Sequence, residues 1–183
     1  MRKILVLAFL FLFAAPAFAA SVGGVTMPDT MTVNGKSLTL NGMGVRKKLM
    51  VKVYVAGLYL PAKETSADKI LSADTERALV MQFVYDVEKE KICRAWSEGL
   101  EKNSPDKAAA LKGKFDTLCG YMTEMPEGTK LTFTYAPGQG TTVSINGTAK
   151  GTIAGKDFAD AMFSCWIGPN PPGADFKQGL LGG

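Results

Sequence analysis

The chain has 183 residues, 46% of them hydrophobic, with 21 basic and 17 acidic side chains and a formal net charge of +4. That length suits one domain with a real core, and so slight a charge, with no interleaving of aromatic and basic residues, gives no footprint for a nucleic acid. The absence of histidine excludes a Ser-His-Asp triad, a Cys-His pair and an H-E-x-x-H zinc site, leaving acid–base chemistry to carboxylates, Lys, Tyr and Cys.

The first nineteen residues read as a cleaved secretory signal. Arg2 and Lys3 form a positive start, residues 4–15 are apolar throughout, Pro16 breaks the run, and Ala17-Phe18-Ala19 supplies small residues for a peptidase. The apolar run is shorter than the ~20 residues of a spanning helix, and no later segment is long and apolar enough to span. The expected product is a periplasmic domain of residues 20–183. Its charge is close to balance once Arg2 and Lys3 leave with the leader.

Residues 25–33 and 36–45 are predicted as two strands joined at Asn34-Gly35, a hairpin dipeptide. A long strand follows over 49–60, closed by Pro61, then a short helix over 67–72 with Thr65-Ser66 as its cap. Residues 77–86 (RALVMQFVYD) read as a buried strand. Ile92, Ala95, Trp96, Gly99 and Leu100 recur at helical spacing and predict a helix over 88–102. Ser104-Pro105 opens a second helix reaching about residue 118.

The period then changes to two. Strands over 130–135, 141–146 and 148–153 make a meander with turns at Pro137-Gly138 and Asn146-Gly147. Phe158, Met162, Cys165 and Trp166 mark a last amphipathic helix ending at Gly168, and the tail holds one further helical turn. This order predicts an α+β fold, a large antiparallel sheet with a layer of helices on one face. A ligand would enter between the two layers.

No C-x-x-C relates Cys93, Cys119 and Cys165, so zinc and thioredoxin chemistry are unsupported. If the two middle helices lie antiparallel, Cys93 near the start of one approaches Cys119 past the end of the other, which makes them the candidate disulfide. Cys165, on an apolar helix face, is expected to be inert. Two glycine-rich stretches fail as phosphate loops. Residues 42–47 lead into a strand rather than a helix, and 151–157 is one residue short and lacks the Ser/Thr. The carboxylate pairs Glu88/Glu90, Asp157/Asp160 and Asp74/Glu76 read as helix-start or surface charges. No cofactor or metal is implied.

Arg46 is the residue with a chemical use. Two glycines before it let backbone come close to something, and a guanidinium suits a carboxylate or an enolate. Tyr54 shares a strand face with Met50, Lys52, Ala56 and Leu58, whereas Tyr59 points the other way. On a straight strand Arg46 and Tyr54 would stand ~26 Å apart at 3.3 Å per residue. They converge only through a bulge or a sharply bent entry.

The stretch "GMGVRKKLMVKVYVAGLYL" resembles the N-terminal strand segment of chalcone isomerase-like proteins, in particular their exported bacterial branch. "VMQFVYDVEKEKICRAWSEGLEKN", the meander before "GKDFADAMFSCWIG", and "FKQGLLG" are similar to later segments of the family, in order. The resemblance implies an open sheet with a helix layer. It also implies one of two activities. Plant members close a flavanone ring with an arginine, a strand threonine, a helix Tyr and Asn and a late hydroxyl, whereas others bind fatty acids through an arginine and a tyrosine without catalysis. Arg46 matches the arginine of both kinds, and Tyr54 stands where the binders have tyrosine. Residues 88–93 (EKEKIC) carry no Tyr or Asn at the isomerase spacing. The resemblance therefore implies a non-catalytic binder of a fatty acid or similar amphipathic carboxylate. Arg46 and Tyr54 would hold the head, and Met81, Phe83, Ile92 and Trp96 would line the tail channel. The alternatives are an isomerase or lyase on a small phenolic or enone substrate, and a partner-binding envelope subunit whose cleft is filled by its own side chains.

Overall fold

The computed structural model describes residues 19–183; apart from Ala19, the expected leader lies outside the described residues. The chain opens with a two-stranded hairpin, β1 (Ala19–Val22) and β2 (Val25–Pro28). Seven further strands follow: β3 (Thr30–Val33), β4 (Lys36–Lys48), β5 (Val51–Leu60), β6 (Arg77–Phe83), β7 (Lys130–Ala136), β8 (Gly140–Ile145) and β9 (Thr148–Ile153). They form one antiparallel sheet in strict chain order, β3 to β9. The expected α+β fold with a large antiparallel sheet is what the chain adopts.

Asn34-Gly35 and Asn146-Gly147 make the tight turns, with positive φ at both residues of each pair. That is the conformation Asn-Gly tolerates best, and its twist matches the strands it joins.

Five helices interrupt and follow the meander: α1 (Ala67–Ser72), α2 (Lys89–Asn103), α3 (Pro105–Gly120), α4 (Lys156–Ile167) and α5 (Ala174–Leu180). α4 is the most apolar and lies deepest. Phe158, Met162 and Phe163 are fully covered and Trp166 nearly so, each contributing about 1.5–3 kcal/mol on burial. Phe133 of β7 meets the rings of Trp96 and Trp166 at 5.7 and 5.3 Å, which ties α2 and α4 to the sheet centre.

The stretch 25–33 is not one strand. It divides at Asp29, and its first half pairs with β1 in a hairpin that covers the sheet face opposite the helices. Met27 and Val25 bury against Leu40, Val55 and Tyr59 there, and the Tyr59 hydroxyl donates to the Pro28 carbonyl at 2.9 Å. The sheet thus has two apolar faces over β4 and β5, each with its own cover.

Arg77 is the most deeply buried charge among the described residues. Its guanidinium pairs with Asp160 of α4 at 2.5 Å and donates to the Ile70 carbonyl at 2.9 Å. It stacks on the rings of Tyr135 and Phe163 at 4.9 Å. Lys156 joins Asp160 from the solvent side at 2.6 Å. A cation so enclosed needs such partners, and only its Nε is left without one.

Candidate ligand-binding site

The turn at Leu49 and Met50 folds β5 back along β4, and the register sets Arg46 directly opposite Tyr54. Opposed residues of an antiparallel pair lie about 4.5–5.5 Å apart at Cα and share a face. The ~26 Å of a straight strand therefore does not apply. A hairpin, with a register shift between Arg46 and Lys47, makes the two converge. Tyr54 also pairs with Phe83 of β6, so Arg46, Tyr54 and Phe83 form a row across three strands on the helix side.

A cleft of about 970 Å³ opens between this row, α2 and the segment 169–172. Phe83, Ile92, Trp96 and Trp166 give it apolar walls. Met81 is not among the residues that line it. It lies two residues further along β6, paired with Ala56 and Leu131 and buried under the helix layer. Alternation keeps Met81 on the face of Phe83 but deeper under the helices than the cleft reaches.

Arg46 is partly buried on the cleft wall. Its Nη1 donates to the carbonyl of Lys47 and, at 2.8 Å, to that of Pro172. Among the described residues no carboxylate pairs with it, and its Nε and Nη2 hydrogens have no protein acceptor. That free edge can take a carboxylate in bidentate fashion. Arg46, Lys48, Lys91, Arg94 and Lys102 line the cleft against two acids, Asp86 and Glu98, so its field favours an anion.

Tyr54 is held by its ring, between Phe83 at 5.8 Å and Phe176 of α5 at 5.7 Å. Burial pushes its hydroxyl pKa up to about 12, opposed in part by the Trp166 indole and the Arg46 cation. It stays a protonated donor at any physiological pH. Cys165 also borders the cleft, and burial drives its thiol up to about 12, so it is a poor nucleophile. Cys93 and Cys119 are joined by a disulfide with Cα atoms 5.4 Å apart, tying α2, the cleft's helical wall, to the end of α3.

The glycines before Arg46 have a different use from the ligand approach their spacing suggests. A Cβ on Gly42 would stand 2.1 Å from the Gly179 carbonyl oxygen, and one on Gly44 would stand 2.4 Å from that of Phe176. Gly179 in turn has no room for a side chain against the Met43 carbonyl. These glycines let the backbone of α5 lie on β4, which brings Phe176 to Tyr54.

The third wall is a feature that sequence reasoning did not single out. Asn103, the last residue of α2, holds Asn170 by two hydrogen bonds of 2.8 and 3.1 Å, and the Asn170 side chain donates to the Lys102 carbonyl at 2.8 Å. This clamp fixes the segment "PNPP" and so the Pro172 carbonyl that positions Arg46. Its signal was present: a proline-rich run cannot continue a helix or an inner strand, so its carbonyls are left for donors elsewhere.

An antiparallel meander with helices on one face and a cationic, apolar-walled cleft between the layers defines an open-faced α+β sandwich. A sequence profile of the chalcone isomerase-like family matches residues 19–182, and the chain belongs to that family. A crystal structure of a fatty-acid-binding protein from Arabidopsis thaliana superposes with a TM-score of 0.72 at 16% identity, covering 90% of this chain and 96% of that one. At that identity the likeness is one of fold. No curated protein sequence matches the chain.

Proposed function

We propose that the protein is a periplasmic, non-catalytic carrier of a fatty acid or similar amphipathic carboxylate. The observation that carries this reading is the free Nε/Nη2 edge of Arg46, the cross-strand partner of Tyr54, on an apolar-walled cleft that both residues line. A cleft of about 970 Å³ is ample for one such ligand. The name of the Arabidopsis neighbour, a fatty-acid-binding protein on the same fold, supports the ligand class. The leader-like N-terminus supports the compartment.

Ring closure is less well served. The α2 side chains at the cleft are Lys91, Ile92, Arg94, Ala95, Trp96, Glu98 and Lys102, without a hydroxyl or an amide to orient a phenolic substrate. Nor is the cleft filled by the protein's own side chains, as a purely partner-binding subunit would have it. Native mass spectrometry of protein gently purified from its own envelope tests the carrier reading. A co-purified acid of amphipathic mass supports it, and a clean apo mass together with chalcone turnover refutes it.

A further inference from the structure

The β4–β5 hairpin ends in the sequence RKKLMVK, residues 46–52, and three of its features cost the fold something without return. Leu49 and Met50 are 93% and 94% exposed, so two large apolar side chains project into water at the tip. Leu49 holds φ at +56°, at a turn position where hairpins take Gly or Asn. Lys47 and Lys52 stand directly opposite each other, a like-charge pair that destabilises a ladder. Among the described residues none of Lys47, Lys48 and Lys52 has a carboxylate partner, although lysines elsewhere in the protein do.

The apolar exposure is not scattered. Of the five exposed large hydrophobics among the described residues, Leu49, Met50, Val51 and Tyr85 lie at this end, the last beside β5 through the Val84 N–H to Val53 carbonyl bond of 3.0 Å. Apolar tips flanked by lysines, with a tyrosine at their side, are what an interface of headgroups over acyl chains accommodates.

We propose that the β4–β5 tip docks the protein on an anionic lipid bilayer, with Leu49 and Met50 entering the interface and Lys47, Lys48 and Lys52 against the headgroups. Docked in this way the molecule turns the mouth of its cleft, which Lys48 and Tyr85 border, to the membrane surface. The docking stands on the tip alone and does not depend on what the cleft carries.

Vesicle flotation tests it. The purified protein should float with phosphatidylglycerol/phosphatidylcholine vesicles, bind phosphatidylcholine alone weakly, and release as salt is raised. The variant L49S/M50S should lose roughly tenfold or more in partitioning. Replacing Lys47, Lys48 and Lys52 by Gln should lose about fivefold per lysine on the anionic vesicles. Leu49→Gly separates docking from folding, because it relieves the positive φ: it should keep or raise the melting temperature while weakening flotation. None of these apolar variants should alter binding of a free acid, so the tip and the cleft fail separately. The proposal is overturned by wild-type protein that stays unbound, or by flotation that survives L49S/M50S. Glycerol phosphate that displaces the protein from vesicles, or a dimer that L49S/M50S dissociates in the absence of lipid binding, also overturns it.

Discussion

Arg46 and Tyr54 are cross-strand partners whose side chains meet the cleft from adjacent strands, one cationic and one a neutral hydroxyl donor. If they hold a carboxylate together, their contributions are separable. A hydrogen bond to a charged group contributes about 1.5–3 kcal/mol net, so Arg46→Ala should weaken a long-chain acid ten- to a hundredfold. Tyr54→Phe keeps the ring between Phe83 and Phe176 and should cost about 1 kcal/mol. An alcohol of equal length should bind wild type as weakly as the acid binds Arg46→Ala, and should lose little more in that variant. Calorimetric titration of this square decides it. Equal affinity of wild type and Arg46→Ala for the acid would sink the clamp.

Gly44 and Gly113 make opposite predictions for the same substitution. Gly44→Ala drives a Cβ into the Phe176 carbonyl, and α5 has to move off β4. Overpacking of this kind costs about 1–3 kcal/mol, and the displacement of Phe176 should also blunt acid binding through Tyr54. Gly113 lies within α3 with nothing near its absent side chain. Gly113→Ala should stabilise by about 0.5–1 kcal/mol. Thermal unfolding of the two variants should therefore move in opposite directions, by roughly 2–4 °C per kcal/mol.

Where the residues carried a local signal, the fold could be read from them. The Asn-Gly turns, the period-two meander, the Ser-Pro helix start and the helical spacing through Trp96 each describe what happens within a few residues, and each element is present. The site was harder, because its geometry depends on contacts far apart in sequence. The turn at Leu49-Met50 uses no Gly, Asn or Pro, so nothing local announced that Arg46 and Tyr54 would face each other. Gly42 and Gly44 announced a close approach but not its partner, which comes from α5 at the chain's far end. Arg77 looked like the first residue of a buried strand, and its counter-ion, Asp160, lies 83 residues away. β1 lay hidden beside the expected cleavage point.

Three tyrosines with raised pKa values should make the fold sensitive to alkali. Burial raises Tyr54, Tyr59 and Tyr135 each to about 12, with the Asp74 carboxylate adding to the effect at Tyr135. A group whose folded pKa lies above its unfolded value of about 10 contributes stability that is complete below pH 10 and lost as pH rises toward 12. Thermal stability should be flat to about pH 10 and then fall. Tyr59→Phe should make that fall shallower while removing the 2.9 Å bond to Pro28. Melts collected from pH 9 to 12 on wild type and variant read the slope; identical slopes would show that Tyr59 ionises as freely folded as unfolded.

The disulfide and the lone thiol should respond in opposite ways to chemistry from outside. Cys93 and Cys119 close a loop of 26 residues that contains most of α2 and α3, and a cross-link of that span stabilises by about 3–4 kcal/mol through the entropy it removes from the unfolded chain. Cys93→Ser/Cys119→Ser should melt several degrees lower, and wild type in reductant should approach it. Since the bridge braces the helical wall of the cleft, acid affinity should drop with it. Cys165, buried and with its thiol pushed up to about 12, should resist alkylation until the protein unfolds. Intact-mass analysis after iodoacetamide should show no adduct on native, unreduced protein and one adduct in denaturant. Three adducts in denaturant without reductant would mean that the bridge does not form in the isolated protein, and the predicted loss on reduction would go with it.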